Sequence, residues 1–283
     1  MFATPIWGWG KQPGSILTTR FKAASATYRL VLATLLCAFL LAADKSRADA
    51  AGSTVEFAAL AKEKFVASQE TFQRETNNAE AAWRFARACF DLGEFATNSS
   101  QRANIAEQGI SASRSLIARQ PSLAAAHYYL AMNLGQLART RTLGALRLVS
   151  QMEIEFTRAR TLDENFDFAG PDRNLGLLYL EAPTIASVGN RLKARVHLRR
   201  SVELAPDYPD NRLNLIEALW KLGDRVEARR EFKALEEVWP KMLEKFTGDE
   251  WAASRGDWSK RFDSMKRKME ATPKLIESPR AKP

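Results

Sequence analysis

Few residues in this chain have the type and spacing that catalysis or metal binding would need. Its two histidines, His127 and His197, are far apart, and neither belongs to a ligand pair at helical spacing such as H-E-x-x-H. The adjacent carboxylates Glu236 and Glu237 fall on a predicted exposed helix face. The sequence contains no phosphate-binding glycine loop and no nucleophile elbow. We therefore predict no catalytic residue, no metal site and no cofactor, and expect that the chain is not an enzyme.

The two cysteines give no sign of a reactive thiol. Cys37 lies inside an apolar run at residues 30–43, and Cys89 lies among apolar residues of a predicted helix, with no histidine nearby in sequence. A thiol becomes a nucleophile when a neighbouring base or cation favours the thiolate. We therefore expect Cys89 to be a buried structural residue. If the first segment is removed as a signal peptide, no internal disulfide can form.

Arginine is the residue type in this chain that is best suited to recognise a ligand. A guanidinium presents a planar set of donors that matches a carboxylate. Arg84 and Arg173 both fall on predicted helices, at positions that would face a common groove if the helices stack side by side. They are candidate anion-binding residues. The alternative is that both are ordinary solvated arginines.

A helical period runs through most of the chain and would position these side chains. Between Pro209 and Pro240, apolar or small residues recur at steps of three and four, and Gly223-Asp224 separates two such runs. Two short amphipathic helices joined by a glycine turn form a helical hairpin. The same arrangement recurs three times earlier in the chain.

The spacing within these hairpins resembles the tetratricopeptide repeat, which is a helical hairpin of about 34 residues. We predict an all-α fold: a tetratricopeptide-like helical-hairpin solenoid with units at 79–121, 122–164, 169–206 and 209–240. Capping helices are predicted at 55–74 and 249–270, and a disordered tail at 271–283. The residues that carry the repeat signature are Trp83, Phe90, Leu175, Gly176, Tyr179, Ala194, Leu215, Gly223, Ala228, Phe232 and Pro240.

The predicted hairpins differ most in their internal turns. The second contains the extra sequence RTRTLGALRLV and the third contains APTIASVGN. Stacked helices are committed to packing, so loops along one edge of a solenoid are free to carry specificity. These two insertions are the main departure from the repeat pattern.

The first helices of tetratricopeptide hairpins line a concave groove, which gives a prediction for the binding residues. The predicted groove residues are Arg84, Tyr128, Met132, Arg173, Leu177, Leu180, Leu213, Glu217 and Trp220. This mixture of aromatic, aliphatic and isolated charged side chains could hold an extended peptide, a partner helix or an amphipathic anion. The expected partner is therefore a protein, or a small organic anion or apolar ligand.

The charge of the chain does not indicate a nucleic-acid partner. The formal net charge is +9, but acidic and basic residues alternate through most helices. The one basic cluster, Lys260–Lys268, lies on an amphipathic helix and is interpreted as a solvated face.

Residues 1–50 are predicted to be a secretory signal. Residues 1–29 carry basic but no acidic side chains, residues 30–43 are apolar, and Ala48-Asp49-Ala50 places small residues where a signal peptidase reads. The chain is therefore expected in the periplasm or cell envelope. The alternative is an uncleaved N-terminal anchor, although the apolar run is shorter than the roughly 20 residues of a spanning helix.

Several phrases between residues 79 and 240 resemble the T-component (TatT-like) family associated with TRAP transporters. They include Gly170-Pro171 at the start of a helix, Leu175-Gly176 within it and Ala182-Pro183 before its long turn. The resemblance implies an exported helical solenoid that associates with a periplasmic solute-binding protein and helps to pass small hydrophobic or acidic ligands. It also implies a homo-oligomer, because some members form trimers. This sequence lacks the lipoprotein cysteine after its predicted signal.

Three functions follow from these patterns. The first is an exported, non-enzymatic binding scaffold whose groove takes a protein partner or a small ligand. The second is a transporter-associated accessory component, and the third is an assembly factor of the cell envelope.

Overall fold

The structure is a computed structural model that describes residues 55–185 and 187–272. All regular elements within these two ranges are helical, so the predicted all-α fold is confirmed. No helix among them is both long and apolar enough to cross a membrane. The predicted signal at 1–50 and the predicted tail beyond Thr272 lie outside the described residues.

The chain divides into two compact units after residue 63. One unit is Gly8–Glu63, of which the structure describes residues 55–63, and these are helical. The described residues 64–185 and 187–272 belong to the other unit. The helical hairpins belong to this second unit.

Ten helices cover the described residues, and eight of them form four consecutive hairpins. The first helix, α1, covers residues 55–74. The hairpins pair α2 with α3, α4 with α5, α6 with α7, and α8 with α9, and α10 follows. Their bounds are α2 Ala79–Glu94, α3 Ser99–Arg119, α4 Ala124–Ala138, α5 Ala145–Leu162, α6 Phe166–Glu181, α7 Arg191–Leu204, α8 Pro209–Leu222, α9 Arg225–Glu244 and α10 Asp249–Ala271.

Local sequence explains where several of these helices begin and end. The side chains of Asn78, Asn98 and Asn190 accept hydrogen bonds from backbone N–H groups in the first turns of α2, α3 and α7. These caps satisfy donors that have no partner inside the helix. Gly223 ends α8 with φ +91°, a conformation that costs glycine little.

Small residues let the helices of a hairpin approach closely. A Cβ atom on Gly176 in α6 would lie 2.6 Å from Leu198 Cγ in α7 and 3.1 Å from its backbone nitrogen. Ala194 in α7 and Ala228 in α9 are fully buried. The close α6–α7 packing therefore depends on the absence of a side chain at position 176.

The buried side chains form two main clusters. The first is centred on Tyr128, Phe156 and Leu175 and contains residues from every helix from α2 through α7. The second, centred on Leu213 and Trp258, joins α8, α9 and α10 with Leu198 of α7. Helix α6 contacts both clusters, because Leu175 and Leu178 face the first and Leu177 faces the second.

Pro240 does not end the second helix of the fourth hairpin, which corrects the expectation from sequence. Helix α9 continues through it to Glu244. Proline removes one backbone donor from a helix. Pro240 and Glu236, the residue four positions earlier, are both exposed, so water can hydrate the carbonyl oxygen that loses this donor.

The α6–α7 packing gives a prediction for two glycines. We expect Gly176→Ala to lower the free energy of unfolding by about 1–3 kcal/mol, because the added methyl group collides with Leu198. Gly256→Ala in α10 is the matched control, since a Cβ there meets no atom within 4 Å. This control should stabilise by about 0.5–1 kcal/mol through helix propensity. Urea denaturation of both variants measures the difference, and equal effects would contradict the packing argument.

Candidate functional site

A left-handed turn opens α6 and is the most unusual backbone feature of the described chain. Asp167, Phe168 and Ala169 have φ values of 51°, 56° and 60°. L-residues in this conformation cost roughly 1–2 kcal/mol each. None of the three is glycine, so other interactions must hold the turn. The regular right-handed part of α6 begins at Gly170.

Arg173 supplies those interactions from the next turn of the helix. Its Nη1 atom donates to the carbonyl oxygens of Asp167 and Phe168, each at 3.1 Å. Its Nη2 atom donates to the Asp167 carboxylate at 2.9 Å. The guanidinium therefore pairs with both the backbone and the side chain of the turn.

The first helices of the neighbouring hairpins, α4 and α8, complete the same hydrogen-bond network. From α4, the Tyr128 hydroxyl donates to Asp167 at 2.7 Å and accepts from Asn174 Nδ2 at 2.8 Å. From α8, Asn211 Nδ2 donates to the Phe168 carbonyl at 3.0 Å. Burial raises the pKa of Tyr128 well above its usual value, so the hydroxyl keeps its proton. The turn thus ties α4, α6 and α8 together.

This network corrects the role expected for Arg173. The residue is only 5% exposed, and an internal carboxylate and carbonyl groups accept hydrogen bonds from its guanidinium. It is therefore neither a solvated arginine nor available to an outside anion. Tyr128 and Met132, also predicted to line the groove, are buried inside the same region. Arg84 is exposed and pairs with Glu80 at 2.6 Å.

The remaining groove candidates come together further along the chain. Leu177 and Leu180 of α6 and Glu217 and Trp220 of α8 line one cleft of about 430 Å³. Leu213 is fully buried and does not reach it. The other lining residues are Glu181, Asn214, Ala218, Lys221, Met265 and Lys268. We call this the α6–α8–α10 cleft.

Helix α10 supplies one wall of this cleft through Met265 and Lys268. It is held along α8 by Arg261, which donates to Asp210 at 2.6 Å, to Asn214 at 2.6 Å and to Glu217 at 2.8 and 3.0 Å. Arg261 is 9% exposed, so it departs from the solvated face expected for the basic cluster. The apolar spacing of α10 indicated a packed helix, but no local signal indicated this partner.

Trp220 has a fixed environment at the edge of the cleft. The Arg225 guanidinium lies 3.9 Å from the centre of the indole ring, and that of Arg229 lies 5.8 Å away. Arg229 also donates to the backbone carbonyls of Met269 and Thr272 at the end of α10. Cation–π contacts of this kind hold an aromatic side chain in one orientation.

The charges around the cleft are unevenly paired. Glu181 and Lys221 form an ion pair at 2.5 Å, and Glu217 pairs with Arg261. The exposed Lys268 ammonium has no carboxylate partner within the described part of the chain. The cleft therefore combines apolar walls with one cation that is free to meet an anionic group.

The described cysteine and histidine side chains lie outside the α6–α8–α10 cleft. Cys89 is fully buried, and burial raises the pKa of its thiol. His127 Nδ1 lies 2.6 Å from Glu155 Oε2, and His197 Nδ1 lies 2.6 Å from Asp172 Oδ1. In residues 55–185 and 187–272, no group of three histidine, cysteine or carboxylate side chains could hold a metal ion.

Comparisons with known proteins agree with this architecture. The family model "Regulator of microtubule dynamics protein 1-3" matches residues 49–147. TTC0263, a thermophilic TPR protein in Thermus thermophilus, has a similar crystal structure: the TM-score is 0.55 at 20% identity, over 76% of this chain and 95% of that chain. A search of curated proteins gave no match.

These findings define the class of protein. The chain has a tetratricopeptide-like helical fold. At 20% identity, the likeness shows the fold alone. The binding site must be argued from the cleft itself.

The network around the left-handed turn predicts unequal effects for two adjacent tyrosines. We expect Tyr128→Phe to destabilise by about 1–3 kcal/mol, because Asp167 and Asn174 lose a buried partner. Tyr129→Phe is the control, since the Tyr129 hydroxyl makes no hydrogen bond among the described residues. Thermal and urea unfolding should separate the two variants. Equal destabilisation would contradict the proposed network.

The carboxylates around Arg261 predict a pH effect. Burial, together with the nearby charges of Asp210 and Glu217, raises the pKa of Asp257 against the opposing effect of Arg261. Because the pKa of Asp257 is higher in the folded than in the unfolded chain, its protonated form stabilises the fold. This contribution is complete below the unfolded pKa of about 3.9 and is lost as the pH rises through the folded pKa.

Asp257→Asn should therefore stabilise the protein at neutral pH, and this gain should disappear in acid below the unfolded pKa. Asp263→Asn, at an exposed position on the same helix, is the control and should change little at either pH. The urea midpoints of both variants, measured at neutral pH and in acid below the unfolded pKa, give the change in stability. A gain that is independent of pH would rule out this explanation.

Proposed function

We propose that this protein is an exported, non-enzymatic tetratricopeptide-like scaffold that binds its partner in the α6–α8–α10 cleft. The observation that carries the proposal is the convergence of Leu177, Leu180, Glu217 and Trp220 on one cleft. Of the other groove candidates, Tyr128, Met132 and Arg173 are committed to internal contacts, Leu213 is buried, and the exposed Arg84 pairs with Glu80 and does not line this cleft. Export is supported by the pattern of residues 1–50.

The lining of the cleft supports a ligand that is apolar with one anionic group. Leu177, Leu180, Trp220 and Met265 offer apolar surface, and Lys268 offers the unpaired cation. A volume of about 430 Å³ suits a few side chains of a peptide or one small organic anion. We favour a segment of a partner protein with an acidic residue beside apolar ones, since this class of fold commonly binds proteins.

The chemistry of the described residues supports a binding role rather than catalysis. The thiol of Cys89 is buried, and each histidine is hydrogen-bonded to a carboxylate on another helix. The residues that line the cleft include neither a histidine nor a cysteine, serine or threonine nucleophile.

A second candidate is an accessory component that passes a small ligand to or from a periplasmic solute-binding protein of a TRAP transporter. It is favoured by the motif residues of α6. A Cβ on Gly170 would lie 2.6 Å from the Tyr128 hydroxyl, so the glycine of the Gly170-Pro171 motif is required by the network around the left-handed turn. The same helix contributes Leu177 and Leu180 to the cleft. A role in envelope assembly and a homo-oligomeric state are further versions of the proposal.

A fluorescent apolar anion tests the cleft directly. We expect 8-anilinonaphthalene-1-sulfonate to bind the folded protein saturably, with affinity reduced at least about tenfold by Lys268→Glu or Trp220→Ala, since a lost ion pair or aromatic contact in a cleft costs on the order of 1–2 kcal/mol. Arg267→Glu makes the same change of charge one residue away and outside the lining, and it should bind normally. Circular dichroism confirms that each variant is folded.

Native mass spectrometry of the protein from periplasmic extract then identifies what is bound. A scaffold should retain a partner protein that Trp220→Ala releases, whereas a ligand-passing component should retain a small molecule. If Lys268→Glu and Arg267→Glu affect dye binding equally and Trp220→Ala releases neither kind of partner, the cleft assignment is wrong.

A further inference from the structure

The two inserted loops carry the most exposed large apolar side chains of the described chain. Leu143, in the loop 139–144 between α4 and α5, is 90% exposed. Ile185, in the loop 182–190 between α6 and α7, is 85% exposed. Leu192, at the start of α7, is 70% exposed, as is Val55 at the start of α1. Single exposed apolar residues are common on protein surfaces, so their meaning depends on whether these side chains share one face with other unpartnered groups.

Several contacts place both loops on one edge of the solenoid. Glu94 at the end of α2 pairs with Arg139 just after α4, and Glu181 at the end of α6 pairs with Lys221 near the end of α8. The first helices therefore end on the same side.

The second helices begin on that side too. Glu153, in the middle of α5, accepts a hydrogen bond from Tyr179 near the end of α6 at 2.7 Å and lies 3.6 Å from Lys193, near the start of α7. Arg160, near the end of α5, pairs with Asp172 near the start of α6, so α5 begins on the side where α6 ends. We call this side, with its loops 139–144 and 182–190, the loop edge.

Two basic residues that follow these loops have no partner among the described residues, whereas Arg139 and Arg141 within the first loop pair with Glu94 and Glu107. Arg147 follows the first loop and Arg191 follows the second; both are exposed, and neither forms an ion pair or hydrogen bond with a described residue. Further along α7, Arg195 and Arg199 pair with Asp224 and Glu227.

The sequence around the loops adds to this imbalance of charge. It has no acidic residue from 139 to 152 or from 182 to 202. Carboxylates from other segments also reach this edge, but Glu94, Glu107, Glu153 and Glu181 are each paired with a basic residue. Arg147 and Arg191 therefore leave an excess of positive charge behind the apolar tips.

We propose that the loop edge rests on an anionic lipid surface, with Leu143 and Ile185 entering the headgroup region and Arg147 and Arg191 contacting lipid phosphates. Basic residues near a membrane surface are attracted to anionic lipids, and exposed apolar side chains add partitioning energy. This proposal is independent of the α6–α8–α10 cleft.

The exposure of the loop tips favours a lipid surface over a protein partner. Side chains that are 85–90% exposed contact almost no neighbouring atoms, so they form no shaped socket for a rigid partner. Protein interfaces rely on close shape complementarity at their centre. A headgroup layer adapts to separate protruding side chains and needs no such socket.

An environment-sensitive fluorophore on the loop edge provides the test. Single cysteines are introduced by Leu143→Cys or Ile185→Cys in the full chain, with Cys37→Ser and Cys89→Ala to remove the native thiols. We expect a blue shift with vesicles of equimolar phosphatidylcholine and phosphatidylglycerol, and none with phosphatidylcholine alone. Ser122→Cys, in the exposed turn between α3 and α4, is the control and should not shift. The fluorophore reports contact of the loop edge even if another segment tethers the chain.

Charge removal completes the experiment. Arg147→Gln with Arg191→Gln should raise the lipid concentration for half-maximal shift at least about tenfold, given the attraction of each basic residue to an anionic surface. The proposal is overturned if neither loop position shifts, if neutral vesicles give the same shift, or if Ser122→Cys shifts equally. A shift caused by an added purified protein but not by vesicles would instead assign the loop edge to a protein partner.

Discussion

The guanidinium of Arg173 holds the arrangement on which the rest of this solenoid depends. Three successive left-handed residues would cost several kcal/mol on their own, at roughly 1–2 kcal/mol each. Arg173 offsets this cost by donating to two carbonyl oxygens and one carboxylate of the turn. The same turn directs Asp167 toward Tyr128 in the first core cluster, while Phe168 stacks on Tyr208 of the second at 4.5 Å. One buried cation thus joins the two clusters.

The hydrogen-bond network around the left-handed turn limits which predicted groove residues a ligand can reach. In the second and third hairpins, positions expected to face a groove are used for internal contacts, so a ligand cannot reach Tyr128 or Arg173. The accessible groove begins at Leu177 and is completed by α10, which a second buried arginine, Arg261, fixes to α8. The proposed binding site is therefore formed by the last hairpin together with α6 and α10. The loop edge is separate in the fold and has the opposite shape, since its apolar side chains protrude instead of lining a cleft.

The sequence was sufficient for the fold class and for part of the cleft. Apolar periodicity and the glycine turn at Gly223 indicated helical hairpins, and the repeat spacing selected Leu177, Leu180, Glu217 and Trp220. The left-handed turn could not be predicted, because none of its residues is glycine and its support comes partly from Tyr128, 39 residues earlier. The contribution of α10 was also missed. Arg261 resembles its solvated neighbours in sequence, and its partner Asp210 lies 51 residues away.

Hydrogen exchange of an Arg173→Lys variant tests the central claim most directly. Lysine keeps the positive charge but cannot reproduce the planar fork that bonds both carbonyl oxygens and the carboxylate. Faster exchange is predicted at residues 166–181 and in α8 and α10, by at least about tenfold for a loss of 1–2 kcal/mol. Protection in α2 and α3 should be unchanged. Exchange that stays slow in α6 and α8, or that rises equally in every helix, would contradict the role assigned to Arg173.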